Sequence, residues 1–500
     1  MDAGGSEDAA NSRQQLTSAG TGSMTEVKNR ATRVQIPSPW DGLFHVVVTA
    51  VPLTLYAASS YMFFPVFQSL IYTKVCLQSY NDSEAVCTNN SATRKVLVIQ
   101  EGANHVLLFA QVGLTATSVL TAPLLGSVSD HVGRRVAVVI PLLGCVLEYF
   151  TLILQSKTLG ATSVYWVVAS EALFGLFGGY VSIFGNIFAY AAQLSHHPAT
   201  KSRNMAILEG SLGLGGVLGF YLTKPFLRWF GYERLFLVLV GVNASNVLFV
   251  IAFYRHAQPV AAPSRETDAA LPVRLLGDLK RYFAESARFL FRRRSGQKRT
   301  TLALIMLSFA FSFLVYQGSL TILLYYLKYL LAFDAGTYGN LKGTIHLATT
   351  MNTLLLYPLL RRAGVRDTVL ALMGLASRML GRGLLAIVWS PWSTFLLVPA
   401  DMFSRFAASS LRALISQQVD DSEQGRIFAT VSLLGALSDF VGSAAFNALF
   451  PLTLVWDAPR LCYALLAALM LLPIALILVV HCTTRTEGDT DAAAKTETEQ

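Results

Sequence analysis

The residues that invite a chemical reading are ionisable side chains set inside long apolar runs. In the first half of the chain they are acids: Glu148, Glu171 and Glu209. In the second half they are mostly basic. Arg378 and Arg382 lie one helical turn apart, Asp401, Arg405, Ala408 and Arg412 fall on a single helical stripe, and Asp439 follows. Each charge near a bilayer centre costs on the order of 3 kcal/mol even on the lenient insertion scale, so it persists only beside a partner or a wet cavity. Taking a carboxyl out of water favours its neutral form, which makes Glu209, Glu171 and Glu148 candidates to carry protons. Arg412, Arg378, Arg382 and Arg405, with His346, are candidates to hold an anion. The competing reading is that these groups are internal ion pairs that only hold helices together, Asp401 with Arg405, or Asp439 and Asp401 against part of the Arg378 and Arg382 surplus.

The elements that must position them are membrane helices. The chain of 500 residues is 53% hydrophobic and only 14% charged. Its mean hydropathy of +0.49 is more apolar than an ordinary core can absorb, so lipid must be the solvent for much of it. Apolar runs of roughly 20 residues, the length that crosses a bilayer, recur about twelve times. They run near Leu43–Leu70, Asn104–Leu125, Val136–Gln155, Thr162–Leu194, Asn204–Leu222 and Leu235–Tyr254. After a polar break come Thr300–Leu330, Gly339–Leu360, Thr368–Trp389, Trp392–Gln417, Ile427–Phe450 and Pro459–His481. The expected class is an all-α membrane protein with two six-helix bundles, 42–255 and 300–483. A basic central loop, 256–299, joins them, and cytosolic tails cover 1–41 and 484–500.

Lys and Arg collect on one side of this arrangement, at Arg134, Arg135, Lys201, Arg203, the central loop, Arg361, Arg362 and Arg366. The positive-inside rule makes that side cytosolic and places both termini there. The first outer loop carries two glycosylation sequons, at Asn81 and Asn89, and two cysteines, Cys76 and Cys87, able to form a disulfide in an oxidising compartment. In the central loop, Leu276, Leu279, Phe283, Ala287 and Leu290 share a face among basic residues. That pattern suits either a helix on the anionic inner leaflet or a solvated tether. Glu209 opens a glycine-rich helix in which Gly213, Gly216 and the Gly215/Gly219 pair let a neighbour approach closely.

Between the second and third runs stands Gly126-Ser-Val-Ser-Asp130-His-Val-Gly133-Arg134-Arg135. This spacing resembles the signature loop of the major facilitator superfamily, which implies that fold and a gating role for Asp130, Gly133, Arg134 and Arg135. The bland reading of the loop is a capped hairpin that sets topology. Two further segments resemble the solute carrier 46 family, which includes proton-coupled folate carriers. One is Met205-Ala-Ile-Leu-Glu209-Gly-Ser-Leu-Gly213 with Leu227-Arg-Trp-Phe-Gly231-Tyr232. The other is Leu411-Arg412-Ala-Leu-Ile-Ser416 with Ser422-Glu-Gln-Gly425 and Phe446-Asn-Ala-Leu-Phe-Pro451. The resemblance implies uptake of an organic anion, folate-like or of another family type, together with protons. It puts Glu209 at a proton-coupling position and Arg412 at a position for substrate and proton. His346 also has a family counterpart. Departures mark a divergent member: Gly175-Leu-Phe-Gly-Gly179 lacks a family carboxylate, and Val168 and Val315 stand where an arginine and a histidine are expected.

Five scattered cysteines with no metal-spaced His or Cys cluster argue against a metal, and no cofactor is expected. The net charge of +9 resides in loops and forms no nucleic-acid stripe. Nucleophile elbows and phosphate-cradling loops are missing, so an enzyme is not expected. The leading expectation is a proton-coupled symporter of a small anionic organic solute, a monomer or weak homo-oligomer embedded in the lipid bilayer. The alternatives are an uncoupled facilitator and a non-transporting receptor or scaffold. Neither tail carries a clear acidic dileucine signal, which points to the plasma membrane rather than endosome or lysosome.

Overall fold

A computed structural model describes residues 39–80, 87, 96–194, 198–254, 277, 297–418 and 424–483. The sequons at Asn81 and Asn89, the side chain of Asp130, both tails and the amphipathic stretch of the central loop lie outside the described residues. The chain divides into two units, Met1–Val47 and Val48–Gln500, and the second holds all the features that follow.

The described residues form helices joined by turns. Among them nine segments are long and apolar enough to cross a membrane. One, Ile207–Phe253, is two passes merged across a kink at Gly231, where φ is 65° and ψ is −173°. Two more passes escape that criterion because each is broken. The eighth is Ala335–Met351, a π turn at Asn352–Leu356, then Tyr357–Arg362. The tenth is a 3-10 turn at Trp392–Leu396, then Leu397–Asp401 and Ser404–Gln417. Twelve passes result, as the apolar runs imply.

Several helices turn large apolar side chains outward. In the third span, Arg134–Lys157, Leu143, Leu147, Phe150 and Leu154 are exposed while Gly144, Cys145, Glu148 and Leu152 are buried. A water-soluble helix does the reverse, and only lipid around the bundle makes this arrangement stable.

Breaks in the helices occur where side chains can repair the backbone. The fourth span unwinds between Trp166–Leu176 and Gly179–Gln193. Gly178 and Gly179 have φ of 99° and 58°, values that glycine reaches without a Cβ clash. Thr121 Oγ1 donates to the Gly175 carbonyl at 2.7 Å across the break. In the tenth span the turn at 402–403 is held by the ninth, Asp367–Ile387: Ser377 Oγ donates to the Ala400 carbonyl at 2.6 Å and accepts from Phe403 N at 3.2 Å. Backbone left open at membrane depth costs several kcal/mol per group, so such repair is obligatory.

Candidate functional site

The fifth span, the first part of the helix Pro198–Phe253, lies between the first span, Pro39–Tyr80, and the eighth. Its glycines make both approaches possible. A Cβ on Gly215 or Gly219 would collide with first-span backbone at Thr54 or Ala58, and one on Gly213 or Gly216 would collide with eighth-span Thr350 or His346. The close approach read from the glycine pattern is thus two-sided.

His346 is the side chain clamped in this groove. Its ring lies 4.9 Å from that of Tyr61 and 5.7 Å from that of Phe220, and Arg405 Nη2 donates to its Nε2 at 2.7 Å. A guanidinium only donates, so the imidazole must present a bare nitrogen here. His346 and Arg405, both expected at an anion site, are therefore in direct contact.

The tenth-span stripe is resolved into three separate partnerships. Asp401 does not pair with Arg405, as a straight helix would have it. The turn at 402–403 separates the two, and Asp401 Oδ1 accepts from ninth-span Arg382 Nη1 at 2.9 Å. Arg405 takes His346. Arg412, one further step along, meets Glu209 of the fifth span with Nη1 and Oε1 3.7 Å apart, the two side chains 45% and 48% exposed. An ion pair this open to solvent contributes at most about 1 kcal/mol. It joins the two halves of the chain by a bond that is easily exchanged.

Arg378 has a different part. Its Nε donates to the Ser404 carbonyl at 2.9 Å, repairing the tenth-span break, and its Nη1 donates to Ser312 Oγ at 2.6 Å in the seventh span, Gln297–Leu331. These contacts fix Arg378 as a strut rather than a free donor.

Glu148 and Glu171 come together but apart from Glu209. They are 1% and 3% exposed and lie within electrostatic reach of each other, and Glu148 Oε1 is buried without a hydrogen-bond partner. Around them, Thr151 and Gln155 both donate to Ser170 Oγ at 2.7 Å. Tyr180 stands in electrostatic reach of both Glu171 and eleventh-span Asp439, and Asp439 in reach of Arg378, so the acid pair adjoins the basic half through two intermediates.

One end of the bundle is shut. Cys76 and Cys87 are joined by a disulfide there. Gln68 Nε2 donates to the Thr321 carbonyl at 2.7 Å, Tyr325 Oη donates to the Gln68 carbonyl at 3.0 Å, and Lys328 Nζ sits 3.6 Å over the Tyr72 ring. First and seventh spans are locked by these contacts. At the opposite end, Gly133, with φ 124°, starts the third span, and Arg135 Nη2 donates to the Ile251 carbonyl at the end of the sixth. Arg135 is thereby tied within its own half.

Sequence reasoning missed Lys342. It precedes His346 by one turn and lines a small cavity with Tyr316, Arg382 and Asp401. The rule that an intramembrane cation marks a site applies to it, since the apolar run Gly339–Leu360 already contains Lys342. The helix begins at Ala335 and carries Lys342 inside.

Twelve apolar passes among the described residues, with ionisable side chains set between them, define a polytopic membrane protein. The chain belongs to the Major Facilitator Superfamily, whose sequence profile matches residues 53–443. Within it, the chain resembles members of the solute carrier 46 family. It is 24% identical over 440 residues to the lysosomal proton-coupled steroid conjugate and bile acid symporter SLC46A3 of Gallus gallus, covering 86% of this chain and 92% of that one. It is 28% identical over 369 residues to the proton-coupled folate transporter of Rattus norvegicus, covering 74% and 77%. Among solved structures, the human organic anion transporter MFSD10 superimposes with a TM-score of 0.62 at 19% identity, over 87% of this chain and 99% of that one, a likeness of fold. Family and relatives are transporters, so the chain is a membrane transporter and not an enzyme.

Proposed function

We propose that the chain is a secondary active transporter that moves a small organic anion together with protons by alternating access. The observation that carries this is the Glu209–Arg412 pair, a carboxylate and a guanidinium from opposite halves, half exposed and 3.7 Å apart. A proton on Glu209 removes the attraction, and an anion on Arg412 replaces it. Either event alone leaves one charge without a partner; both together leave none. Coupling follows from that balance. His346, Arg405 and the Arg382–Asp401 pair extend the basic wall away from this point, while the buried Glu148 and Glu171 offer a second proton site deeper in the first half.

The names of the relatives, a proton-coupled symporter of steroid conjugates and bile acids and a proton-coupled folate transporter, favour the same reading. The disulfide end is proposed to face the outside or a lumen, since a disulfide needs an oxidising compartment, and both termini then lie in the cytosol. The expectation of a plasma-membrane site gains nothing from relatives named as lysosomal, and an acidic lumen would supply the driving gradient. Gating by the signature loop remains part of this proposal, with Gly133 as the turn that starts the third span and Arg134 beside it.

The test is uptake of a panel of labelled anions (folates, bile acids, sulfated steroids, cyclic dinucleotides and peptidoglycan fragments) at about pH 5.5 and pH 7.5. At least one is expected to enter several-fold faster at the lower pH. Uptake equal at both values would favour an uncoupled facilitator.

A further inference from the structure

The cavity beside Lys342 has the makings of a headgroup site. Its polar wall is Lys342, Arg382, Asp401, Tyr316 and Ser319, and its apolar wall includes Leu323, Ile345 and Leu397. Arg382 is 5% exposed, and while Asp401 takes its Nη1, its Nε is buried without a hydrogen-bond partner. Lys342 lies within electrostatic reach of Asp401, Arg382 and Arg405, yet makes no hydrogen bond or close ion pair among the described residues. The cavity wall thus carries two cations, Lys342 and Arg382, against the single carboxyl of Asp401. Such a surplus is expensive at membrane depth and persists only where something anionic relieves it.

We propose that Lys342 and Arg382 hold one compact anionic group, a sulfate or a carboxylate, whose apolar body rests on the leucine-lined side of the cavity. This rests on the reading of the chain as an anion carrier and narrows it to amphipathic anions with a single charged end. Lys342 supplies a mobile point charge and Arg382 the donor that Asp401 leaves open. The cavity is too small for a whole organic anion in the described conformation, so the body must extend past it, toward the groove that His346 closes.

Three matched probes test this: 2-naphthyl sulfate, 2-naphthoate and the neutral 2-naphthol. Thermal unfolding of the purified full-length protein in detergent would be followed with each. The two anions are expected to raise the wild-type unfolding temperature and the naphthol to leave it unchanged. In Lys342→Gln the affinity for the anions should fall on the order of tenfold, the loss of one charge-assisted contact, and Lys342→Arg should restore most of it. Without probe, Lys342→Gln should unfold at a higher temperature than wild type, because an unpartnered buried cation is gone. If neither anion stabilises the wild type, the anion-carrier reading falls with the inference. If both stabilise Lys342→Gln as well as wild type, or if ligand-free Lys342→Gln is less stable, only the Lys342 assignment is overturned.

Discussion

Uptake by a Glu209→Gln variant is expected to lose its dependence on outside pH, while uptake by Arg412→Ala falls through weakened substrate affinity. The two effects are separable because the pair has two ends with different jobs. Gln cannot take up and release a proton, so the fifth span keeps a permanently neutral partner for Arg412. The halves then part without waiting for a proton, and the pH profile flattens. Ala at 412 keeps the titrating carboxyl but removes the charge that an anion replaces. The loss of a hydrogen bond to a charged group is worth about 1.5–3 kcal/mol, or roughly 10- to 100-fold in affinity. The two variants are compared across outside pH, and only Glu209→Gln is expected to change the shape of the profile. A Glu209→Gln carrier with the full wild-type profile would show that the proton binds elsewhere, with Glu148 and Glu171 the next candidates. Unchanged affinity in Arg412→Ala would remove this arginine from the substrate path.

Gly216→Ala is expected to lower transport at least tenfold while the protein still reaches the membrane. An added Cβ would overlap the His346 ring, and there is no slack to absorb it. On the opposite side of the fifth span, Gly215 and Gly219 already rest on first-span backbone. Around the ring, Tyr61 and Phe220 leave the imidazole no other seat, so it must abandon its contact with Arg405. Overpacking of this kind costs about 1–3 kcal/mol. The larger consequence is functional, since the fifth and eighth spans can no longer slide past each other at that point. Gly241→Ala is the control, because a Cβ there meets nothing within 4 Å, and alanine in a helix interior is favoured over glycine by about 1 kcal/mol. Wild-type transport by Gly216→Ala would show that His346 has room to move and that the groove is not tightly packed.

Much of this arrangement was legible in the sequence, and the failures have local causes. Apolar runs predict the passes because lipid imposes a length on each. The glycines of the fifth span predict close approach, since nothing else explains so many in one helix. The tenth-span charges read as one stripe, with Asp401 open to Arg405 or to the Arg378 and Arg382 surplus of the ninth. The i, i+4 rule assumes an unbroken helix, and the turn at 402–403 carries Asp401 out of register with Arg405 and over to Arg382. Arg378 reads as a ligand from its charge alone, and only the geometry shows it mending that turn. Lys342 stands inside the apolar run Gly339–Leu360, so the rule that singles out the arginines of the ninth and tenth spans applies to it equally. The Glu209–Arg412 partnership between halves and the His346–Arg405 contact within the second half depend on tertiary packing and leave no trace in spacing.

The central claim is that anion and proton move together, and proton entry measures it most directly. Purified protein in liposomes loaded with a pH-sensitive dye would be given an anion that it takes up, with no membrane potential. Lumenal acidification should begin with the anion, scale with its uptake, and be absent in Glu209→Gln. Anion uptake of wild-type rate with no accompanying change in lumenal pH would contradict the account.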